Sequence, residues 1–538
     1  MLRRRAHCPS GRANGRRSCS AACRSRSFAT LGRQGPAGDD VDGVALAVFG
    51  VELRPLQRTA VAAALRGDSF LLVSPTASGK SLCFQLPALL QPPHLSTVVV
   101  SPLLALMREQ VQRLRQQGVH AIELRGGEAA PAAKRHLGDA PPPRLIYTTP
   151  EWLVRHHATL AERGVSVGRL VVDEAHCLSE WGAASNFRSD YLGLGAVRAA
   201  LASSAGLERL PVSCLTATAA PQVRQDILRH LSLPPLRRPA GAELDAATEM
   251  GQSPDGDEGG EATLLLEGPA DRPNLALHVC RLGASEEARL AALVAQLSQG
   301  GAAPPRAMVF CITRAEAEAV AEALGASLDS DTARSDAVVD VFHGGLSEPR
   351  RRQAARRWSR GRTRVLVATP AVGLGLDAPD VSLVVHYTMP PSLASYWQQA
   401  GRAGRDGRAA RCVLFHRDSD AARVRHCLQA EAPGLDSLPR SRAELLAVER
   451  FVKTEGCRRA VLFEQLGGPT LKHGCGNCDF CLGSSEPAAS TTDIANELRE
   501  NNPREPGWVG RRRKAEARRE RKEAARQRRR ELAAELSK

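Results

Sequence analysis

The octapeptide from Ser74 to Ser81, Ser-Pro-Thr-Ala-Ser-Gly-Lys-Ser, has residue types in the order needed to hold a polyphosphate. Such a loop needs a glycine-permissive turn whose N–H groups wrap the phosphates. It also needs a Lys for the β- and γ-phosphates and a Ser or Thr hydroxyl for Mg²⁺. Gly79, Lys80 and Ser81 meet the last three positions, while Ser74 and Ala77 stand where glycine is common. A non-glycine residue is tolerated there when its φ is negative, and Ala77 adds one methyl group. Thr76, Ala77, Ser78, Gly79, Lys80 and Ser81 are therefore candidate ligands for a nucleoside triphosphate such as ATP; a chance turn before a helix is the competing reading.

Three further constellations carry chemistry. Asp173 and Glu174 follow the apolar run Leu170-Val171-Val172, about ninety residues beyond the Gly-Lys-Ser triplet. One carboxylate can hold Mg²⁺, as Ser81 can, and the other can activate water. A lone acid pair is commonly a solvated turn, but one placed after a buried run and behind such a loop reads as its partner. Gln398, Arg402 and Arg405 lie in Tyr-Trp-Gln-Gln-Ala-Gly-Arg-Ala-Gly-Arg-Asp-Gly. Arg/Gly segments are usually surface loops, yet paired arginines facing a nucleotide act as arginine fingers, an effect of about 10³ to 10⁵ in rate. A finger supplied from a second lobe would couple hydrolysis to closure of a cleft. Finally, Cys457, Cys475, Cys478 and Cys481 are spaced C-x17-C-x2-C-x2-C. Four thiolates suit a closed tetrahedral structural Zn²⁺; a redox pair is the alternative, without a thioredoxin-like context here. His473 beside them reads as a surface histidine, and the other ten cysteines are too scattered for a disulfide scaffold.

The elements that must position these groups are legible as repeated apolar runs. Phe-Leu-Leu-Val, Thr-Val-Val-Val, Arg-Leu-Ile-Tyr and Arg-Leu-Val-Val end in the polar motifs of the first half. A second set follows in Arg-Ala-Met-Val-Phe-Cys, Asp-Val-Phe-His, Thr-Arg-Val-Leu-Val-Ala and Val-Ser-Leu-Val-Val-His. Short apolar runs between helical stretches predict buried parallel strands with functional residues at their carboxyl ends. The fold class is α/β, with two tandem parallel-sheet lobes over 39–236 and 271–427. A flexible Gly- and acid-rich linker is expected over 237–270, and a small helical cysteine-bearing subdomain over 428–487.

Net charge is +15, with +9 in residues 1–38 (nine Arg, no acid) and +8 in residues 511–538; +15 less +9 and +8 leaves −2 between. The basicity therefore sits in two tails. The leader, residues 1–38, has the composition of an organelle transit peptide or of a disordered basic segment. The tail, residues 488–538, alternates charge with Ala toward its end, predicting a solvated single helix. It fits a phosphate-binding arm, a nuclear localisation signal, or both. No apolar run is long enough to cross a bilayer, so no membrane partner is expected.

Over about residues 45–482 the chain resembles a RecQ-family helicase of superfamily 2. The motifs stand in the family's order: Phe49 to Gln57, the Ser74 loop, Val98 to Val111, Thr148 to Glu151, Val171 to Gly182, Leu215 to Ala219, Asp271 to Asn274, Val341 to Leu346, Val365 to Val381 and Ser395 to Gly407. The resemblance implies two RecA-like lobes and ATP-driven 3′ to 5′ translocation on DNA with duplex unwinding, in repair, recombination or replication. It implies that Arg54 and Gln57 read adenine, and that the four cysteines form the family's zinc-binding subdomain. Other superfamily 2 helicases are similar in carrying Ala within this phosphate loop. The family's aromatic-rich loop, resembling Trp-Gly-His-Asp-Phe-Arg-Pro-Asp-Tyr, here reads Trp-Gly-Ala-Ala-Ser-Asn-Phe-Arg-Ser-Asp-Tyr, two residues longer and without the His-Asp pair. Trp181, Phe187, Arg188 and Tyr191 are retained as candidate DNA contacts, with core aromatics as the competing reading. Val51 stands where an aromatic is frequent in the adenine motif.

The implied partners are single-stranded and forked or partly duplex DNA, with the chain acting as a monomer in the nucleus. Mitochondrion or plastid is the alternative address from the leader. About 56 residues after the cysteine cluster are too few and too polar for the winged helix of many relatives, so the chain resembles the family's short forms. The altered loop motivates a second reading, a DNA-binding or strand-annealing protein with a weakly coupled nucleotide site. An RNA helicase is a third.

Overall fold

The computed structural model describes residues 38–75, 78–102, 104–125, 137, 141–180, 189–239, 262–269, 271–283, 285–298, 304–328, 338–370, 378–431, 439–468, 471 and 473–483. The leader, the C-terminal tail, Thr76, Ala77, Trp181, Phe187 and Arg188 lie outside them.

Two sheets organise the chain. The first holds β1 (Phe70–Val73), β2 (Leu95–Val100), β3 (Ala121–Leu124), β4 (Leu145–Thr148), β5 (Ser166–Asp173), β6 (Val212–Thr216), β7 (Leu236–Arg237) and β8 (Thr263–Glu267). Their spatial order is β3-β4-β2-β5-β6-β1-β8-β7. The second holds β9 (Leu275–Arg281), β10 (Ala307–Phe310), β11 (Val339–Phe342), β12 (Val365–Ala368), β13 (Leu383–His386) and β14 (Ala410–His416). Its order is β11-β12-β10-β13-β14-β9, and the strand pairs of both sheets are parallel.

Parallel strands need helical crossovers on both faces, so their side chains are buried on both sides and the runs read as continuously apolar. The period of two sorts them. Leu71, Val98, Val100, Leu170 and Val172 face one core of the first lobe, while Phe70, Leu72, Val99 and Val171 face the other. Met308, Phe310, Leu366 and Leu414 are divided in the same way from Val309, Val365, Val367 and Val385 in the second lobe. Cys83, Cys214 and Cys311 are buried within these cores, as expected of small apolar side chains.

One boundary is corrected. Within the expected linker 237–270, residues 263–267 form β8, which pairs with β1 through Leu264 to Phe70 and Leu266 to Leu72. Leu264, Leu265 and Leu266 are buried there, and their apolar run is what draws the chain back into the first sheet.

The cysteine-bearing region is built onto the second lobe. Its two helices, Pro439–Lys453 and Arg458–Leu466, place Val448, Phe451, Leu462 and Phe463 in the same core as Met308 and Leu366. Phe451 packs its ring 5.1 Å from that of Tyr396, and Phe463 meets Trp397 edge-on at 5.9 Å. The same helices reach the first lobe, closing a cavity of about 50 Å³ lined by His176, Thr218 and Val223 on one side and Leu393, Glu444 and Leu466 on the other. Among the described residues no helix is long and apolar enough to cross a membrane.

Candidate functional site

The phosphate loop leaves β1 at Ser74, whose N–H donates to the Thr216 carbonyl at 3.0 Å. Gly79 has φ +81°, a conformation that glycine adopts without strain. Lys80 follows, its Nζ donating to the carbonyls of Ser74 (2.8 Å) and Pro75 (3.1 Å). Ser81 stands at the start of the Leu82–Leu90 helix, its hydroxyl accepting from Gln110 at 3.4 Å. Loop carbonyls are gripped from the Pro55–Arg66 helix: Gln57 Nε2 donates to Ser78 (3.0 Å) and Gly79 (3.3 Å), and Arg54 to Ser78 (3.5 Å). Gln57 is itself held by Oε1, which accepts from the Arg54 N–H at 2.9 Å.

Asp173 ends β5, beside the phosphate loop because β5 and β1 both flank β6. Both acids are buried, and Glu174 carries φ +51°, a left-handed backbone that is strained for a side chain with a Cβ. Such outliers concentrate where a side chain must be aimed for function. The Glu174 N–H donates to Asp173 Oδ1 at 3.0 Å. Burial, and next the neighbouring Glu174, pushes the Asp173 carboxyl up to about 7, against the pull of Lys80. Burial likewise lowers the Lys80 ammonium from its ordinary value; Glu174 and Asp173 oppose this, while Arg405 adds to it. Lys80 thus feels groups of both lobes at once.

Arg402 and Arg405 follow the Leu393–Ala400 helix of the second lobe; Gln398 is half-buried on that helix, and Arg402 is buried. Arg405 lines a cleft of about 490 Å³ between the lobes, facing Arg54, Gln57, Ser78 and Lys80. Arg108 pairs with Glu348 across the same divide at 3.3 Å.

Sequence reasoning missed several residues here. Asp271, Arg272 and Asn274 line the cleft, although their tetrad was legible as a motif without a role. His176 Nδ1 lies 3.0 Å from Thr216 Oγ1 and 3.4 Å from Glu174 Oε2, joining the acid motif to the end of β6. Tyr191 is corrected: it is 2 % exposed, in the first lobe's core, and presents no face to a base. Its ring packs inward because the short helical turn Ser189–Gly193 folds back toward the Pro150–Glu162 helix.

Cys457, Cys475, Cys478 and Cys481 converge with all four Sγ atoms within 4.8 Å of one another. Cys475 and Cys481 Sγ lie 3.9 Å apart, against about 3.8 Å for two thiolates of a tetrahedral zinc site. Gly474 and Gly476, on either side of Cys475, take φ +78° and +65°. Four convergent thiols of this spacing fit Zn²⁺.

Two parallel α/β lobes with a phosphate loop and acid pair in one and paired arginines in the other are the architecture of superfamily 2 helicases. Family models match in tandem: the DEAD/DEAH box helicase over residues 54–227, the helicase conserved C-terminal domain over 288–407, and RecQ zinc-binding over 418–482. The chain is 32 % identical over 440 residues to the ATP-dependent DNA helicase RecQ of Pasteurella multocida, covering 81 % of this chain and 61 % of that protein. It is 33 % identical over 459 residues to ATP-dependent DNA helicase Q5 of Rattus norvegicus, covering 80 % of this chain and 42 % of the relative. The chain belongs to the RecQ family. It spans about three-fifths of the length of the bacterial relative it matches. Solved structures share the fold: helicase MrfA bound to DNA (TM-score 0.55, 18 % identity, 87 % of this chain and 58 % of that one) and Mycobacterium smegmatis Lhr bound to single-stranded DNA and AMP-PNP (TM-score 0.51, 23 % identity, 82 % and 56 %).

Proposed function

We propose that the chain is an ATP-dependent DNA helicase that hydrolyses ATP in the inter-lobe cleft and moves 3′ to 5′ on single-stranded DNA, opening duplex ahead of it. The observation that carries this reading is the convergence, in one cleft, of Lys80 and Gln57 from the first lobe with Arg405 from the second.

In this reading Arg54 and Gln57 recognise adenine and hold the phosphate loop, whose residues Thr76 to Ser81 cradle the phosphates. Lys80 turns from the loop carbonyls to the β- and γ-phosphates. Ser81 and Asp173 are the residues that would hold Mg²⁺, which offsets charge on the phosphate oxygens when bound. Glu174, aimed by its left-handed backbone, orients the attacking water and accepts its proton. Arg402 and Arg405 stabilise charge at the transferred phosphoryl group, and Gln398 is placed beside them on the preceding helix. Because those arginines belong to the second lobe, hydrolysis and cleft closure form one event, which is what turns the chemistry into stepping. Zn²⁺ on the four cysteines is structural. Trp181, Phe187 and Arg188 contact the DNA. Single-stranded and forked or partly duplex DNA are the proposed substrates, in repair, recombination or replication, with the monomer acting in the nucleus, where the basic tail suits import.

The test is steady-state ATP hydrolysis with and without single-stranded DNA at fixed low salt, beside Lys80→Ala, together with displacement of a strand from a 3′-tailed duplex. DNA-stimulated hydrolysis and unwinding that vanish in Lys80→Ala are expected. Unstimulated hydrolysis with intact strand annealing would favour a DNA-annealing protein instead.

A further inference from the structure

The tetrad Asp271-Arg272-Pro273-Asn274 is held from behind by the cysteine-bearing region and in turn holds the arginine loop. From behind, Arg459, 1 % exposed on the Arg458–Leu466 helix, pairs with Asp271. It also donates to the Arg272 carbonyl at 3.1 Å and to that of Leu275. Asn477, between Cys475 and Cys478, donates to the carbonyls of Pro273 (2.8 Å) and Leu275 (3.2 Å). The cysteine loop also pairs with the outer edge of β9: Leu277 N–H donates to Asn477 at 3.3 Å, and Asp479 N–H to Leu277 at 2.9 Å.

In front, Arg272 donates to the carbonyls of Gly401 (3.3 Å), Ala403 (3.1 Å) and Gly404 (2.6 Å). These lie just past the Leu393–Ala400 helix, where backbone carbonyls lack intrahelical partners. Asn274 Nδ2 donates to Gly404 (2.9 Å) and Arg408 (2.8 Å). A Cβ on Gly404, whose φ is +56°, would stand 2.4 Å from that Nδ2 and 2.8 Å from the Arg408 carbonyl oxygen, so glycine is required by both and by the left-handed backbone. The bonded carbonyls bracket Arg402 and immediately precede Arg405. Fixing them fixes where both guanidinium groups project. Burial, and then Arg405 itself, lowers the Arg272 pKa, so two like charges are held together by the surrounding bonds.

We propose that Arg272 is a positioning residue that transmits the geometry of the cysteine-bearing subdomain to the arginine loop. Arg459 and Asn477 set the backbone of 271–275, and Arg272 and Asn274 set that of 401–408. This rests on the reading that Arg405 stabilises charge at the γ-phosphate. A planar guanidinium with five donors can serve three carbonyls at once; a lysine ammonium at the same place keeps the charge but not that array.

The experiment compares Arg272→Lys, Arg405→Ala and the double variant in the full chain. Hydrolysis, DNA affinity, and binding of AMP-PNP and of ADP–aluminium fluoride are read for each. Arg272→Lys is expected to lower kcat about 10- to 100-fold, the effect of displacing a catalytic group by about 1 Å. The KM for ATP and the affinities for AMP-PNP and single-stranded DNA stay within about three-fold, while ADP–aluminium fluoride binding weakens with kcat. Added to Arg405→Ala, the change costs clearly less than it does alone, because the share that acts through Arg405 is already lost and only the placing of Arg402 remains. Arg459→Lys, which keeps the charge beside Asp271 but not the two carbonyl bonds, gives the same pattern and serves if Arg272→Lys does not fold. A raised KM with kcat retained would overturn the proposal, as would losses that multiply in the double variant. Normal hydrolysis by Arg272→Lys beside an inactive Arg405→Ala removes the relay alone. Normal hydrolysis by Arg405→Ala removes the functional reading and the relay with it.

Discussion

Gly79→Ala tests the claim that the adenine-side residues and the phosphate loop form one unit. An added Cβ would stand 2.4 Å from Gln57 Nε2, with Gln57 Cδ next at 3.7 Å. Among the described residues no backbone atom is that close, so the clash is relieved by swinging Gln57 away. That movement gives up its two bonds to Ser78 and Gly79, about 1 kcal/mol each. The φ of +81° is not relieved and costs an L-residue about 1–2 kcal/mol. Together this is about 3–4 kcal/mol, or about 10²- to 10³-fold if expressed wholly in nucleotide affinity. Titration of a fluorescent ATP analogue is the assay, beside a thermal melt to separate local from global loss. Gln57→Ala alone should cost the two bonds, about 2 kcal/mol, besides its hold on adenine, which the swing in Gly79→Ala gives up as well. The double variant should then match Gly79→Ala, since the bonds can be lost once. Affinity within about three-fold of the parent in Gly79→Ala, or additive losses in the double variant, would refute the coupling.

Three other outcomes are expected. His386 is buried between the rings of Phe310 and Tyr396, and burial holds its pKa down at about 3, from an ordinary 6.5. A depressed folded pKa contributes stability that is present above about 6.5 and lost as pH falls toward 3, so His386→Phe should flatten the fall in melting temperature between pH 6.5 and 4. Cys478→Ser should reduce bound zinc from one equivalent to none by elemental analysis and lower the melting temperature of the second lobe, whose core Cys478 shares. Tyr191→Ala should cost stability, about 3–5 kcal/mol by denaturant titration, rather than DNA affinity; Tyr191→Phe, losing a buried hydroxyl with no hydrogen-bond partner among the described residues, should change stability by less than about 1 kcal/mol.

The fold class and the reactive groups were legible because each is written locally. A loop for phosphate, an acid pair after a strand and thiols at fixed spacing are contiguous or nearly so, and the chemistry constrains residue type directly. What was not legible depends on partners distant in sequence. The run Thr263-Leu264-Leu265-Leu266 is a strand because Phe70 and Leu72 lie beside it, which an acidic, Gly-rich neighbourhood concealed. Tyr191 has the same aromatic chemistry whether it stacks on a base or fills a core, and only its burial decides. Arg272 and Asn274 act on carbonyls about 130 residues away, and backbone acceptors carry no sequence signal.

The sharing of one core between the second sheet and the cysteine-bearing helices fixes what can be cut, swapped or inherited. Phe451, Leu462 and Phe463 seal the same face as Leu366 and Met308, and residues 477–479 cover the otherwise open edge of β9. A chain cut before Pro439 would bare both an apolar face and an unpaired strand, the two features that drive aggregation. The transplantable unit is therefore residues 271–482 as a single piece, and grafting the cysteine loop alone onto another chain would carry neither its fold nor its hold on the arginines.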